Sequence, residues 1–192
     1  MTNVRNNDLI ILTEGALITA LALVLSFVPH STGVSSIEFM YGLIPMAIFA
    51  LRRGLKAGLM AGFVWGILDL VLRGFSNGGF LNPLQGIVEY PLAFGVVGLI
   101  GLGSVQVKQA IENGKNAIGL ILLYSSIGFF AKYFCHFIAG GIYWGTYAPK
   151  GMNPWIYSLV INGGSFIANM IMLLVLVVVL NRVFKQLIIV KN

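Results

Sequence analysis

Apolar residues run through this chain in long blocks broken by short polar gaps. The blocks lie at residues 9–28, 37–51, 54–72, 81–103, 117–144 and 156–180. Five have the length of a bilayer-spanning helix, and the second is short. None alternates apolar and polar positions with the period of two that a membrane barrel strand requires. The pattern therefore predicts an all-α integral membrane protein of six transmembrane helices, with the whole chain, 1–192, as one membrane domain. The first block follows Arg5, but Asp8 and Glu14 lie in the same segment and the block reaches Pro29, so it is read as a retained first helix and not a cleaved leader.

Composition supports this class. The 192 residues are 58% hydrophobic and 9% charged, too few charges to cover a soluble domain of that size. The net charge of +6 belongs to the gaps between blocks, which argues for membrane topology and against nucleic acid. With the N-terminus inside, the inner segments hold Arg5, Arg52, Arg53, Lys56, Lys108, Lys115, Arg182, Lys185 and Lys191; the outer ones hold Arg73 and Lys150. That bias predicts cytoplasmic termini at both ends. Gly54, Gly58, Gly62 and Gly66 make a four-residue repeat along the third helix, a stripe on which a neighbour can pack closely; Ala16 and Ala20 form a smaller pair on the first. Cys135 stands alone, so no internal disulfide forms.

Ionisable groups at membrane depth are costly and mark functional sites. Glu14 is placed at the interface, and Asp69 pairs with Arg73 one helical turn on. Glu38, Glu89, Lys132 and His136 fall in the outer half of the bilayer in this topology. Lys132, His136, Gly140 and Trp144 repeat every four residues on the fifth helix, and Tyr157, Ser158 and Asn162 occupy the outer turns of the sixth. The inner half holds little to match, so the chain describes a cup open to the outside and not a channel. Carboxylates with Tyr90, Trp144, Tyr147 and Tyr157 as aromatic walls favour a flat organic cation. Trp155 reads as an interfacial belt residue, and His30 has no comparable context. No P-loop, zinc-ligand spacing or nucleophile elbow occurs, so neither catalytic residues nor a metal is expected.

These residues also carry a resemblance. Leu12-Thr13-Glu14 with Ala16 and Ala20, Leu51-Arg52-Arg53-Gly54-Leu55, Trp65-Gly66-Ile67-Leu68, Glu89-Tyr90, Lys132 through Gly140 with Trp144, Tyr157-Ser158-Leu159 and Asn162-Gly163 together resemble the substrate-binding S-components of energy-coupling factor (ECF) vitamin transporters, and most closely the thiamin-specific ones. The resemblance implies the S-component fold in the plasma membrane of a bacterium. It implies thiamin as ligand, held by Glu38, Glu89, Tyr90, Lys132, His136, Gly140, Trp144, Tyr157, Ser158 and Asn162. In that reading Glu89 takes the aminopyrimidine, Lys132 keeps the Glu89 carboxylate ionised, Trp144 and His136 stack on the rings, and Glu38 faces the cation. It implies a transmembrane coupling subunit docked on the Ala16/Ala20 face and two ATPase subunits, so that ATP is used by partners and this chain needs no cofactor. Two positions depart from the pattern: Val34 stands where an aromatic lid residue is expected, and an aromatic before the fourth helix is replaced near Gly79-Phe80. The departures leave another flat vitamin or a thiamin precursor open as ligand. An intramembrane enzyme using Glu89 and His136 as acid and base is the competing class.

Overall fold

A computed structural model describes residues 2–29 and 36–189, the side chains of residues 2–6 excepted. His30, Val34 and Lys191 lie outside the described residues, as does the side chain of Arg5. The elements are α1 (Thr2–Leu25), α2 (Leu43–Arg53), α3 (Leu55–Gly74), α4 (Pro83–Glu112), α5 (Ile118–Tyr143), α6 (Pro154–Val179) and α7 (Asn181–Ile188). Five of them are long and apolar enough to cross a bilayer. Leu12, Leu17, Phe130, Leu159 and Val179 are among many exposed large apolar side chains, an arrangement that water would penalise and lipid does not.

The second predicted span differs most from expectation. Its helix begins at Leu43; residues 41–42 ahead of it form a turn, and only 37–40 run as an extended segment. Side chains of α6 take over the backbone there. Glu38 N–H donates to Ser165 Oγ (3.1 Å), Met40 N–H donates to Asn169 Oδ1 (2.9 Å), and Asn169 Nδ2 donates to the Glu38 carbonyl (2.8 Å). Backbone groups satisfied from outside have no need of helix. Replacing Asn169 with Leu orphans both backbone groups, at roughly 1–3 kcal/mol each. The expected result is a clear drop in melting temperature in detergent, and an unchanged melt would show that Asn169 does not pin this segment.

Helices α3 and α4 touch backbone to backbone. A Cβ at Gly62 would lie 2.3 Å from the Phe94 carbonyl oxygen, and one at Gly66 would lie 2.4 Å from that of Tyr90. Gly58 meets Gly98 in the same way. Gly54, with φ of 86°, makes the turn between α2 and α3 and extends the contact: a Cβ at Gly101 of α4 would lie 2.4 Å from the Gly54 carbonyl carbon. Helix α4 is irregular, with a π turn at Val88–Leu92 around Pro91 and a 3-10 stretch at Val96–Gly103. Pro91 has no N–H to donate, and the wide turn absorbs that loss while setting the direction of Glu89 and Tyr90. Gly66→Ala is therefore expected to cost about 1–3 kcal/mol of stability by overpacking. Gly163→Ala, with nothing within 4 Å of the new Cβ, should melt like the parent; equal melts for the two variants would dismiss the close contact.

The end of the bundle where α2 meets α3 is tied by charge. Glu14 bridges to Arg53 (Nε–Oε2 2.5 Å) and to Arg52 (Nη2–Oε1 3.1 Å), so it anchors α1 to the end of α2. Arg52 also donates to the carbonyls of Leu187 and Ile189, and Lys108 donates to the Arg52 carbonyl. The outward face of α1, with Ala16 and Ala20 exposed on it, is left unpaired by these contacts.

Candidate functional site

At the opposite end of the bundle a cavity of about 390 Å³ opens between α3, α4, α5, α6 and the extended segment. Its lining includes Glu38, Glu89, Tyr90, His136, Gly140, Trp144, Tyr157, Ser158 and Asn162, residues contributed by elements far apart in the chain. Lys132 is not on the wall: it is fully buried directly behind it.

Two carboxylates organise the cavity, each with its own partners. Glu38 receives Lys132 Nζ at 3.2 Å and the Tyr133 hydroxyl at 3.3 Å. Lys132 also sits 4.2 Å from the Tyr133 ring centroid and 5.2 Å from that of Phe94, so its desolvated charge is met by a carboxylate and two aromatic faces. This corrects the sequence expectation that Lys132 attends Glu89. Glu89 is held differently. Trp144 Nε1–H donates to both its oxygens (3.0 and 2.9 Å), Gln85 Nε2 donates to Oε2, and His136 Nδ1 stands 3.6 Å from Oε1. Gln85 also donates to the Gly79 carbonyl, accepts from Leu81 N–H, and follows the helix-capping Asn82 and Pro83, so the loop before α4 is fastened to the carboxylate.

The remaining side chains shape the walls. The Tyr90 ring stacks on Phe94 at 6.3 Å and is enclosed by Gly74 and Gly79, with its hydroxyl 3.4 Å from the Gly79 carbonyl. Gly79 itself lines the cavity, and the Phe80 ring packs edge-on against Phe75 at 4.8 Å. Trp144 turns its indole N–H to Glu89 and packs on Tyr147 at 5.6 Å. The His136 ring meets Phe94 edge-on, and among the described residues its Nε2 is buried without a hydrogen-bond partner. Gly140 is where α5 and α6 approach: a Cβ there would fall 2.2 Å from Ser158 Oγ. Ser158 in turn donates to the Phe137 carbonyl, and Asn162 Nδ2 donates to Ser158.

Sequence reasoning missed Gln85, Phe94, Tyr133, Ser165 and Asn169. A signal existed for two of them, since Ser158, Asn162, Ser165 and Asn169 repeat at intervals of four, three and four along one face of α6. Asp69 and Arg73 form the ion pair their spacing implies (2.9 Å), but both also line the cavity, which the sequence did not indicate. An electron-rich, aromatic-walled cavity with fixed carboxylates can hold a flat cation and exclude its solvent.

The same arrangement has relatives. The profile of the family described as Thiamine transporter protein matches residues 12–189. The chain is 50% identical over 190 residues to Thiamine transporter ThiT of Lacticaseibacillus paracasei, covering 98% of this chain and 94% of that one. It is 30% identical over 195 residues to Thiamine transporter ThiT of Bacillus subtilis, covering 95% and 97%. The fold matches the solved structure of ThiT from Listeria monocytogenes with a TM-score of 0.83 at 34% identity, over 95% of this chain and 98% of that chain.

Proposed function

The chain belongs to the Thiamine transporter protein family, and we propose from that membership that it is the substrate-binding S-component of a thiamin uptake system, a transporter subunit and not an enzyme. The observation that carries the reading is the cavity itself, with two separately held carboxylates among aromatic side chains. Thiamin joins a cationic thiazolium to a neutral aminopyrimidine. Glu89, surrounded by donors on α4 and α5, is the partner for the aminopyrimidine, whose exocyclic amine can donate to a carboxylate and whose ring nitrogen donates as well when protonated. Glu38 faces the thiazolium, with Lys132 setting its orientation from behind. Tyr90, Trp144, His136 and Tyr157 supply ring contacts, and Asn162 offers its amide oxygen because its nitrogen is engaged with Ser158. Gly140 admits the ligand by keeping Ser158 close.

The finer topology follows the charge bias. The chain crosses the bacterial plasma membrane six times as one membrane domain, both termini inside. The non-helical residues 36–42, which end in a turn, lead into the 11-residue α2, about 16 Å long, and the two together make the second crossing of a ~30 Å core. The cavity then faces outward, and the Arg52–Arg53–Glu14 cluster faces the cytoplasm. The Ala16/Ala20 face docks on an ECF coupling subunit served by two ATPases, which consume the ATP; the chain itself carries no cofactor.

Thiamin titrated into detergent-purified protein, followed by tryptophan fluorescence, should give saturable quenching with Kd far below micromolar. A flat response at micromolar thiamin from folded protein would overturn the reading. Better competition by pyridoxine, riboflavin or hydroxymethylpyrimidine would reassign the ligand. The orientation has its own test. In a Cys135→Ser background, Lys150→Cys should react with an impermeant maleimide on intact cells and Lys115→Cys should not; the reverse pattern would invert the topology.

A further inference from the structure

Arg73 is the sole lysine or arginine among the described residues that line the cavity. It reaches the wall from the π turn that ends α3 (Leu70–Gly74). A guanidinium on a binding wall would ordinarily recruit an anion, because its planar fork of donors matches a phosphate. Here it is neutralised: Asp69, 3% exposed, accepts from Arg73 Nη1 at 2.9 Å. The pair is joined within one helix at i and i+4, so it does not depend on how another helix packs.

The charge count gives this pair a function. Counting Asp, Glu, Lys and Arg on and directly behind the wall, Glu38, Asp69 and Glu89 stand against Arg73 and Lys132. Three carboxylates and two cations leave one negative charge, which a monocation cancels. A ligand bearing the same cation and a phosphate ester would restore net negative charge to a desolvated site. Removal of the Asp69 charge alone reverses the preference, since the wall becomes neutral and Arg73 is released toward an anion. Discrimination by a built-in unfavourable charge is a general route to specificity.

We propose that Asp69 is a specificity-determining residue: by neutralising Arg73 it makes the cavity select an unesterified cation over its phosphate monoester. This rests on the thiamin reading above, and thiamin with thiamin monophosphate is the matched probe pair. Asp69→Asn, Arg73→Gln and the double variant would be titrated with both ligands by isothermal calorimetry, at low and moderate salt. Asp69→Asn should lose about tenfold in thiamin affinity and gain severalfold for the monophosphate, shifting the ratio by at least thirtyfold, more at low salt. Arg73→Gln should leave thiamin within a few-fold and weaken the monophosphate about fivefold or more. The double variant, which removes both charges, should lose the gain made by Asp69→Asn.

Equal weakening of both ligands in Asp69→Asn would overturn the proposal and assign Asp69 a structural part only. Should that variant not fold, an unchanged ligand ratio in Arg73→Gln would overturn it equally. Absence of thiamin binding in the parent protein would instead defeat the thiamin reading and this inference with it, whereas thiamin binding by the parent with an unmoved ratio in every variant defeats this inference alone.

Discussion

Glu89→Gln is expected to weaken thiamin binding by about two orders of magnitude, near 3 kcal/mol. The carboxylate sits where two donors converge, Trp144 Nε1–H and Gln85 Nε2, with His136 Nδ1 nearby at 3.6 Å. A carboxylate accepts from both and still presents lone pairs to a ligand. An amide of the same shape turns one end into a donor. That end then opposes the indole or Gln85, or else faces the aminopyrimidine amine, and either way one pairing becomes a donor–donor clash. The loss should appear in titration calorimetry with little change in the melting temperature of the empty protein, because no ion pair to a lysine or arginine is broken. Affinity within threefold of the parent would remove Glu89 from the ligand's main contacts. Trp144→Phe should give a smaller loss, since it deletes one donor and keeps an aromatic ring.

Lys132→Met is expected to damage the protein itself as well as binding. Lys132 has no exposed surface, and its ammonium is the cation that Glu38 receives. Its removal leaves Glu38 beside a buried apolar side chain. The cost is about 3 kcal/mol, at the lower end for an uncompensated buried charge because Glu38 keeps some access to the cavity. The empty protein should melt several degrees lower. Adding Glu38→Gln should recover much of that stability, since both charges are then gone, yet thiamin affinity should stay low if Glu38 is the carboxylate that faces the cation, as proposed. A Lys132→Met variant that melts and binds like the parent would show that the pair carries neither stability nor recognition. The double variant separates the two roles, which neither single change does.

The two carboxylates therefore behave differently for a reason visible in their partners. Glu38 is held by a full charge and belongs to the frame that fixes the extended segment against α6. Glu89 is held by neutral donors and stays available to a ligand. A single pocket thus combines one carboxylate tied into the fold with one poised for exchange.

Much of this was legible in the chain alone. Apolar block length placed the five long helices, because in lipid the backbone must satisfy itself along each segment, although α1 begins seven residues earlier and α4 runs nine residues further than the blocks predict. Four-residue spacing put Lys132, His136 and Gly140 on one side of α5 and the glycines on one side of α3, because a helix repeats on that period. The polar residues rare enough to matter were few, and nearly all of those singled out line one cavity. What the chain could not reveal was rotation and depth between helices. Lys132 answers Glu38, 94 residues away, and not Glu89, because backbone contact at Gly62 and Gly66 and the π turn at Val88–Leu92 set how α4 faces α5. The segment before α2 runs extended because Ser165 and Asn169 replace its helical hydrogen bonds from across the bundle. Periodicity is a property of one helix; pairing is decided by how several helices pack, and that depends on contacts that no local pattern encodes.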